Sequence, residues 1–318
     1  MPESAAPLTI VPSIPVGTWL ETGFTWFKQT FDALFDVIGD LITGAINGIA
    51  DPLLALDPLV LAIILALLGW LLRNWKLGVG TLVGLVLIIG MDMWEPAVET
   101  LALVVVATVV ALVLGIPLGI LAARSPVVSR IAKPVMDFMQ TMPGMVWLLP
   151  VLKLFSIGVA GALVATVIFA LPPAVRLTEL GIRQVDGEVV EAGQAFGAGP
   201  RQILKDIQLP LAMPTVMAGV NQVIMLALSM AVIAGLVGGG GLGNEVVGAI
   251  STLNLARGFD AGISVVILAI FLDRLTASIG SRRPGHGRLR ELRDRFTRTP
   301  ATSAPAAGSP AADAARAA

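Results

Sequence analysis

Residues 176–213 form a long polar stretch bounded by apolar runs, and its residue types suit contact with another protein rather than catalysis. Within it, Glu191-Ala192-Gly193-Gln194-Ala195-Phe196-Gly197 is followed, ten residues after Gly197, by Ile207-Gln208-Leu209-Pro210. Val189 to Phe196 is a helix-competent run. Gly197 and Gly199 end it, because glycine accepts a left-handed cap, and Pro200 opens the next helix as a first-turn residue. Pro210 and Pro214 are expected to close that second helix before the next apolar run. The result is a compact helix-turn-helix whose small residues Ala192, Gly193 and Ala195 admit close approach by a partner. Glu191 offers a carboxylate either to a cation on that partner or to a brace within the loop. The residues for other chemistries are missing. One histidine, His286, and no cysteine cannot build a zinc site. No Gly-x-x-x-x-Gly-Lys-Ser/Thr loop is present to cradle nucleotide phosphates, so ATP chemistry has to sit in another subunit.

The elements that position this segment follow from composition. The 318 residues are 56% hydrophobic and 14% charged, with a mean hydropathy of +0.86. Globular domains carry about 45–50% apolar and roughly 25% charged residues, so a single soluble domain is excluded. About 20 apolar residues cross a hydrocarbon core of roughly 30 Å, and long unbroken runs favour helices over a barrel. Seven runs qualify as spans: 58–72, 77–92, 97–122, 136–155, 160–176, 214–237 and 261–279. The fourth and fifth are joined by the barely polar Ser156-Ile157-Gly158 and interrupted by Pro143, Pro150, Pro172 and Pro173.

Lysine and arginine fall in alternate loops. Arg73 and Lys76 follow the first run; Arg124, Arg130 and Lys133 the third; Arg176, Arg183, Arg201 and Lys205 the fifth; Arg274, Arg282 and Arg283 the seventh. The intervening loops carry Asp92 and Glu95, Gly158, or Glu245 and Asp260, with Arg257 as their only base. The positive-inside bias then predicts an extracytoplasmic N-terminus and a cytoplasmic C-terminus in a multi-pass inner-membrane protein. The ends agree: residues 1–57 hold seven acids against Lys28, and residues 281–318 hold eight arginines against three acids. Before the first span, apolar residues from Phe24 to Ile49 recur at three- and four-residue steps while Asp32, Asp36 and Asp40 line the other face. This predicts an amphipathic helix, lying in the outer interface or packed on other helices of the assembly. The expected organisation is an extracytoplasmic segment 1–57, a two-helix hairpin 58–93, a core 94–280 containing the loop 177–213, and a disordered basic tail 281–318.

The loop segment, read with its flanks, resembles the EAA signature of bacterial ABC importer permeases. Glu191, Ala192, Gly197, Ile207, Leu209 and Pro210 match it, and Gly193 departs from it in place of the third alanine. Gln140-Thr141-Met142-Pro143, Leu171-Pro172-Pro173-Ala174-Val175-Arg176, Gln208-Leu209-Pro210-Leu211-Ala212-Met213-Pro214, Ala218-Gly219-Val220-Asn221-Gln222 and Gly239-Gly240-Gly241-Leu242-Gly243 are similar to the glycine betaine/proline branch of that family. The resemblance covers about residues 92–277 densely. It implies an all-α polytopic membrane protein with about seven transmembrane helices, in which a five-helix permease core follows an amphipathic helix and a hairpin. It also implies two ABC ATPase subunits carrying ATP and magnesium, an extracytoplasmic substrate-binding protein, and a second permease copy in a homodimer. No cofactor is expected in this chain and no nucleic acid as partner, with membrane lipid around it. The coupling role falls on Glu191, Ala192, Gly193, Gln194, Phe196, Gly197, Ile207, Leu209 and Pro210.

A quaternary ammonium is gripped by aromatic faces, and the candidates near the core spans are Trp94, Trp147, Phe155, Phe169 and Phe271. Met142, Trp147, Asn221, Gln222, Ser229 and Met230 are the pathway candidates; for Asn221 and Gln222 the alternative is a hydrogen bond between helices. Lys153 reads as snorkelling to the headgroups, Glu99 and Asp137 as solvated or paired, and Gly238–Gly241 as a flexible external turn or a linker. The competing function is an ion-coupled secondary transporter of a small zwitterion, which calls for inverted repeats and mid-membrane ionisable residues that the sequence does not clearly offer.

Overall fold

In a computed structural model of the protein, residues 15–280 are described, with side chains through residue 278. The expected basic tail, 281–318, lies outside the described residues. Every regular element among them is helical. The order is α1 (Val16–Leu54), α2 (Pro58–Leu72), α3 (Trp75–Gly90), α4 (Trp94–Arg124), α5 (Pro126–Thr141), α6 (Gly144–Phe155), α7 (Val159–Arg183), α8 (Gly187–Ala195), the single turn α9 (Pro200–Gln202), α10 (Leu209–Ile233), α11 (Gly241–Ser251) and α12 (Leu255–Gly280).

The seven apolar runs become helices, with three differences. Five helices, α1, α4, α7, the α9–α10 unit and α12, are long and apolar enough to cross a membrane. The run 136–155 is not a straight span: α5 and α6 meet at a bend of 100°. The reason is Met142-Pro143, since the residue before a proline is pushed out of the helical region; Met142 has ψ 131°. Runs 58–72 and 77–92 form an apolar hairpin of 15 and 16 residues. At 1.5 Å per residue these helices are roughly 22–24 Å long, short of a full crossing. Their length is set by capping: Asp57 accepts the Leu59 amide at 2.9 Å and Asn74 accepts the Leu77 amide at 2.9 Å.

The amphipathic N-terminal segment is a 39-residue helix, kinked at Phe31, and thus itself of spanning length. Its second half packs against α4, α6 and α7. Phe35 stands edge-on to Phe155 with ring centroids 5.3 Å apart, while Asp32, Asp36 and Asp40 stay exposed.

The core is organised by α7, sandwiched between α4 and α10. Small residues let these helices close without a gap, which is how helices associate in lipid. A Cβ on Gly115 would lie 2.4 Å from the Ala174 Cβ, one on Gly119 2.6 Å from the Thr178 Cβ, and one on Gly219 3.1 Å from the Leu177 Cβ. Pro172 and Pro173 sit buried inside α7, which runs on unbroken to Arg183. The polar loop expected from residue 177 is shorter as a result.

The glycine run is not a slack linker. Gly238, Gly240 and Gly241 have positive φ (75°, 76° and 62°), and they turn the chain into α11, a helix the sequence reading did not anticipate. Glu99 Oε2 accepts the Gly241 amide at 2.7 Å and Thr100 Oγ1 accepts the Leu242 amide at 2.8 Å, so α4 caps the N-terminus of α11. Glu99→Ala is expected to cost about 1 kcal/mol, measured as a lower Tm of the purified chain in detergent. The join between α6 and α7 is equally tight: Ser156 has φ 64°, and the Gly158 amide donates to the Val237 carbonyl at 3.0 Å.

Candidate coupling face

Asp186 starts α8 by accepting the Glu188 amide at 2.9 Å. Gly197, with φ 83°, ends it as expected. The Gly197 amide donates to the Gln194 carbonyl at 2.9 Å and the Ala198 amide to the Gly193 carbonyl at 3.0 Å, the paired bonds of a Schellman cap. After the turn the Gly199 amide donates to Gln202 Oε1 at 2.9 Å.

The expected stop at Pro210 and Pro214 is corrected here. After α9 the chain makes a π-helical turn over Ile203–Gln208 and passes directly into α10. Pro210 has no N–H to give, and the wider turn just before it accommodates the missing bond, so the helix continues. Pro214 lies within α10. The segment after Gly199 is therefore one continuous rod from the loop into a spanning helix.

At Gly193 the π turn nests against α8: a Cβ there would lie 2.6 Å from Ile207 Cδ1, the movable tip of that side chain. Ile203 is buried, and Leu204 and Leu209 pack on the cluster of Ile182, Ala212 and Val216 that anchors the loop to α7 and α10. Polar contacts brace the same base. Glu179 Oε1 accepts from Ser129 Oγ at 2.7 Å and pairs with Arg183 Nε at 2.8 Å, and Arg183 donates to the Ala122 carbonyl at 2.9 Å. Arg124 reaches the Pro200 carbonyl at 3.4 Å. Sequence reasoning missed Glu179 and Ser129. The signal was available in Glu179 and Arg183, an acid four residues before a base within an otherwise apolar helix.

Against this braced base, α8 buries none of its residues. Glu191, Ala192 and Gln194 are exposed, and Phe196 is 93% exposed. Glu191 makes no hydrogen bond or ion pair with any described residue.

The pathway candidates are not brought together. Met142 sits at the α5–α6 bend. Trp147 Nε1 donates to the Met139 carbonyl at 3.1 Å and the ring stands edge-on to Phe138 at 5.8 Å, so Trp147 braces that bend. Asn221 Oδ1 accepts from Thr276 Oγ1 at 3.4 Å, linking α10 to α12. Met230 is fully buried, with its sulfur beneath Gly144. Gln222 and Ser229 are exposed on one face of α10 with Met225 between them. Of the other aromatics, Phe271 is buried in the main core and Phe155 and Phe169 pack on it, while Trp94 packs on a second cluster. Asp137 pairs with Arg176, and Arg257 pairs with Glu245. No group of side chains among the described residues could hold a metal ion.

The family described as "Binding-protein-dependent transport system inner membrane component" matches residues 115–283. The glycine betaine transport system permease protein OpuAB of Bacillus subtilis is 43% identical over 277 residues, covering 87% of this chain and 98% of that protein. The glycine betaine/proline betaine permease protein ProW of Escherichia coli is 46% identical, covering 86% of this chain and 78% of that protein. Among solved structures, a chain of the MetNI methionine ABC transporter in an inward-facing conformation superposes with a TM-score of 0.53 at 23% identity, over 57% of this chain and 91% of that one; that likeness speaks to the fold alone.

Proposed function

The chain belongs to the family of binding-protein-dependent transport system inner membrane components, and from that premise we propose that it forms the translocation pathway of an ATP-driven importer for glycine betaine, proline or a related osmoprotectant. Relatives whose names specify glycine betaine, at 43–46% identity over most of the chain, support that substrate class over the ion-coupled alternative. Two copies of the chain pair, each receives one ABC ATPase subunit that holds ATP and magnesium, and an extracytoplasmic binding protein delivers the substrate.

The observation that carries the coupling assignment is α8 itself. It buries nothing of its own and presents Phe196 almost wholly to solvent, yet it packs on the π turn, which is anchored on α7 and runs straight into α10. A helix built in this way receives force at its tip and passes it to a spanning helix. Phe196 enters a cleft of the ATPase, Glu191 faces a cation there, and Gly193, Ile207, Leu209 and Pro210 hold the helix to the rod.

The sidedness read from the loops places α8 in the cytoplasm. Arg257, the single base in the outer loops, pairs with Glu245. Gln222 and Ser229 on the exposed face of α10 suit a water-lined path or the second copy better than lipid.

The test is reconstitution. Proteoliposomes holding this chain with its ATPase are expected to accumulate glycine betaine only with ATP and loaded binding protein, and those holding the chain alone to transport nothing. Uptake by the chain alone on a sodium or proton gradient would sink the proposal.

A further inference from the structure

We propose that the groove between α3 and α12 is a binding site for one anionic phospholipid. The groove encloses about 410 Å³ and is lined by Arg73, Asn74, Lys76 and Arg274 together with an apolar wall that includes Leu77, Gly80, Ile267 and Phe271. Its shape comes from two glycines with opposite surroundings. At Gly84 the helices touch, because a Cβ would lie 2.7 Å from Ile267 Cγ2; at Gly80, one turn nearer the hairpin loop, a Cβ would meet nothing within 4 Å. The helices therefore diverge towards the loop and leave a slot, apolar along its length and basic at its mouth.

Charge chooses the occupant. Among the described residues, three cations line the groove and no acid does. Arg274 has only its sequence neighbour Asp273, at 3.7 Å, and Arg73 and Lys76 form no ion pair with any described residue. Basic side chains in excess above an apolar slot fit a phosphate with an acyl chain beneath it. The depth agrees: Trp70 and Trp75, 53% and 61% exposed, flank the same loop, and tryptophans of this kind sit at headgroup level. The leaflet, cytoplasmic, rests on the sidedness proposed above; the site does not.

The experiment is native mass spectrometry of the full-length chain in detergent micelles, titrated with phosphatidylglycerol, with phosphatidylcholine of the same acyl chains, and with inorganic phosphate. Phosphatidylglycerol is expected to be retained over phosphatidylcholine. The double variant Arg73→Gln/Arg274→Gln is expected to bind phosphatidylglycerol roughly thirty-fold more weakly, the combined weight of two basic side chains beside an anionic headgroup. Gly80→Leu, whose Cβ would meet nothing within 4 Å and whose side chain would occupy the slot, is expected to displace phosphatidylglycerol while leaving any bound phosphate in place. Unchanged phosphatidylglycerol binding in the double variant overturns the proposal, as does equal retention of phosphatidylcholine. Competition by inorganic phosphate at equal concentration, with Gly80→Leu silent, also overturns it by making the site one for a free anion. Helical circular dichroism confirms that each variant is folded. No step reads transport, so the lipid site and the importer assignment fail separately.

Discussion

Phe196→Ala is expected to reduce ATP-driven uptake by the assembled importer about thirty-fold or more while leaving the yield and Tm of the isolated chain unchanged. The size follows from interface energetics: an aromatic side chain that fills a partner's pocket contributes on the order of 2 kcal/mol or more to the contact. The unchanged Tm follows from exposure, because a ring 93% open to solvent has no contact in its own chain to lose. Uptake assays in proteoliposomes, with ATPase co-purification measured in parallel, separate the two effects. Gly197 supplies the matching geometric test. With φ 83° and open space around its missing Cβ, only backbone conformation opposes a side chain. Gly197→Val is expected to disrupt the Schellman cap and lose most uptake, because a β-branched residue resists the left-handed region. Gly197→Asn, which tolerates that region, is expected to retain most of it. Normal uptake in both Phe196→Ala and Gly197→Val, with normal assembly, would remove α8 as the coupling element.

Gly235→Ala is expected to be the most damaging single methyl in the core, costing about 3 kcal/mol or more. An added Cβ would lie 2.2 Å from the Gly243 carbonyl carbon and 2.3 Å from its oxygen. Those are backbone atoms, which cannot swing aside as a side-chain tip can, so the turn and α11 would have to separate. Loss of monodisperse protein on size exclusion, or a sharply lower Tm, is the readout. Gly248→Ala, in α11, is the control: a Cβ there meets nothing within 4 Å, and the higher helix propensity of alanine is worth up to about 1 kcal/mol in its favour. Equal stability of the two variants would show that the close approach at Gly235 is not needed.

Much of this architecture is written in short windows of sequence. Asp57 and Asn74 cap the starts of α2 and α3, because capping is decided within three residues. Gly197 announced a left-handed helix end, since no other residue type adopts that conformation so cheaply. The spacing from Glu191 to Pro210 pointed to the segment proposed for coupling, and the apolar runs to their helices. Where the reading failed, the deciding partner lay elsewhere in the chain. Pro210 and Pro214 were expected to stop a helix, yet the π turn anchored by Ile203 carries it through. Gly238–Gly241 looked like a slack connection; Glu99 and Thr100, 142 residues away in each pairing, make it a cap. Of the pathway candidates, Asn221 makes the hydrogen bond between helices that was its alternative reading, and Met230 lies against Gly144.

The sequence by itself determined that the protein is helical and lives in a membrane, and it supplied the sidedness and the partner-facing segment that are proposed here. Each of these is a property of hydropathy, charge or backbone preference within about twenty consecutive residues. Only the tertiary structure decided that run 136–155 bends, that Glu179 and Arg183 brace the loop, and that α3 and α12 part to leave a basic-mouthed groove. Those outcomes depend on which distant surfaces meet, and a glycine's role in such a meeting is set by the atom that would confront its missing side chain.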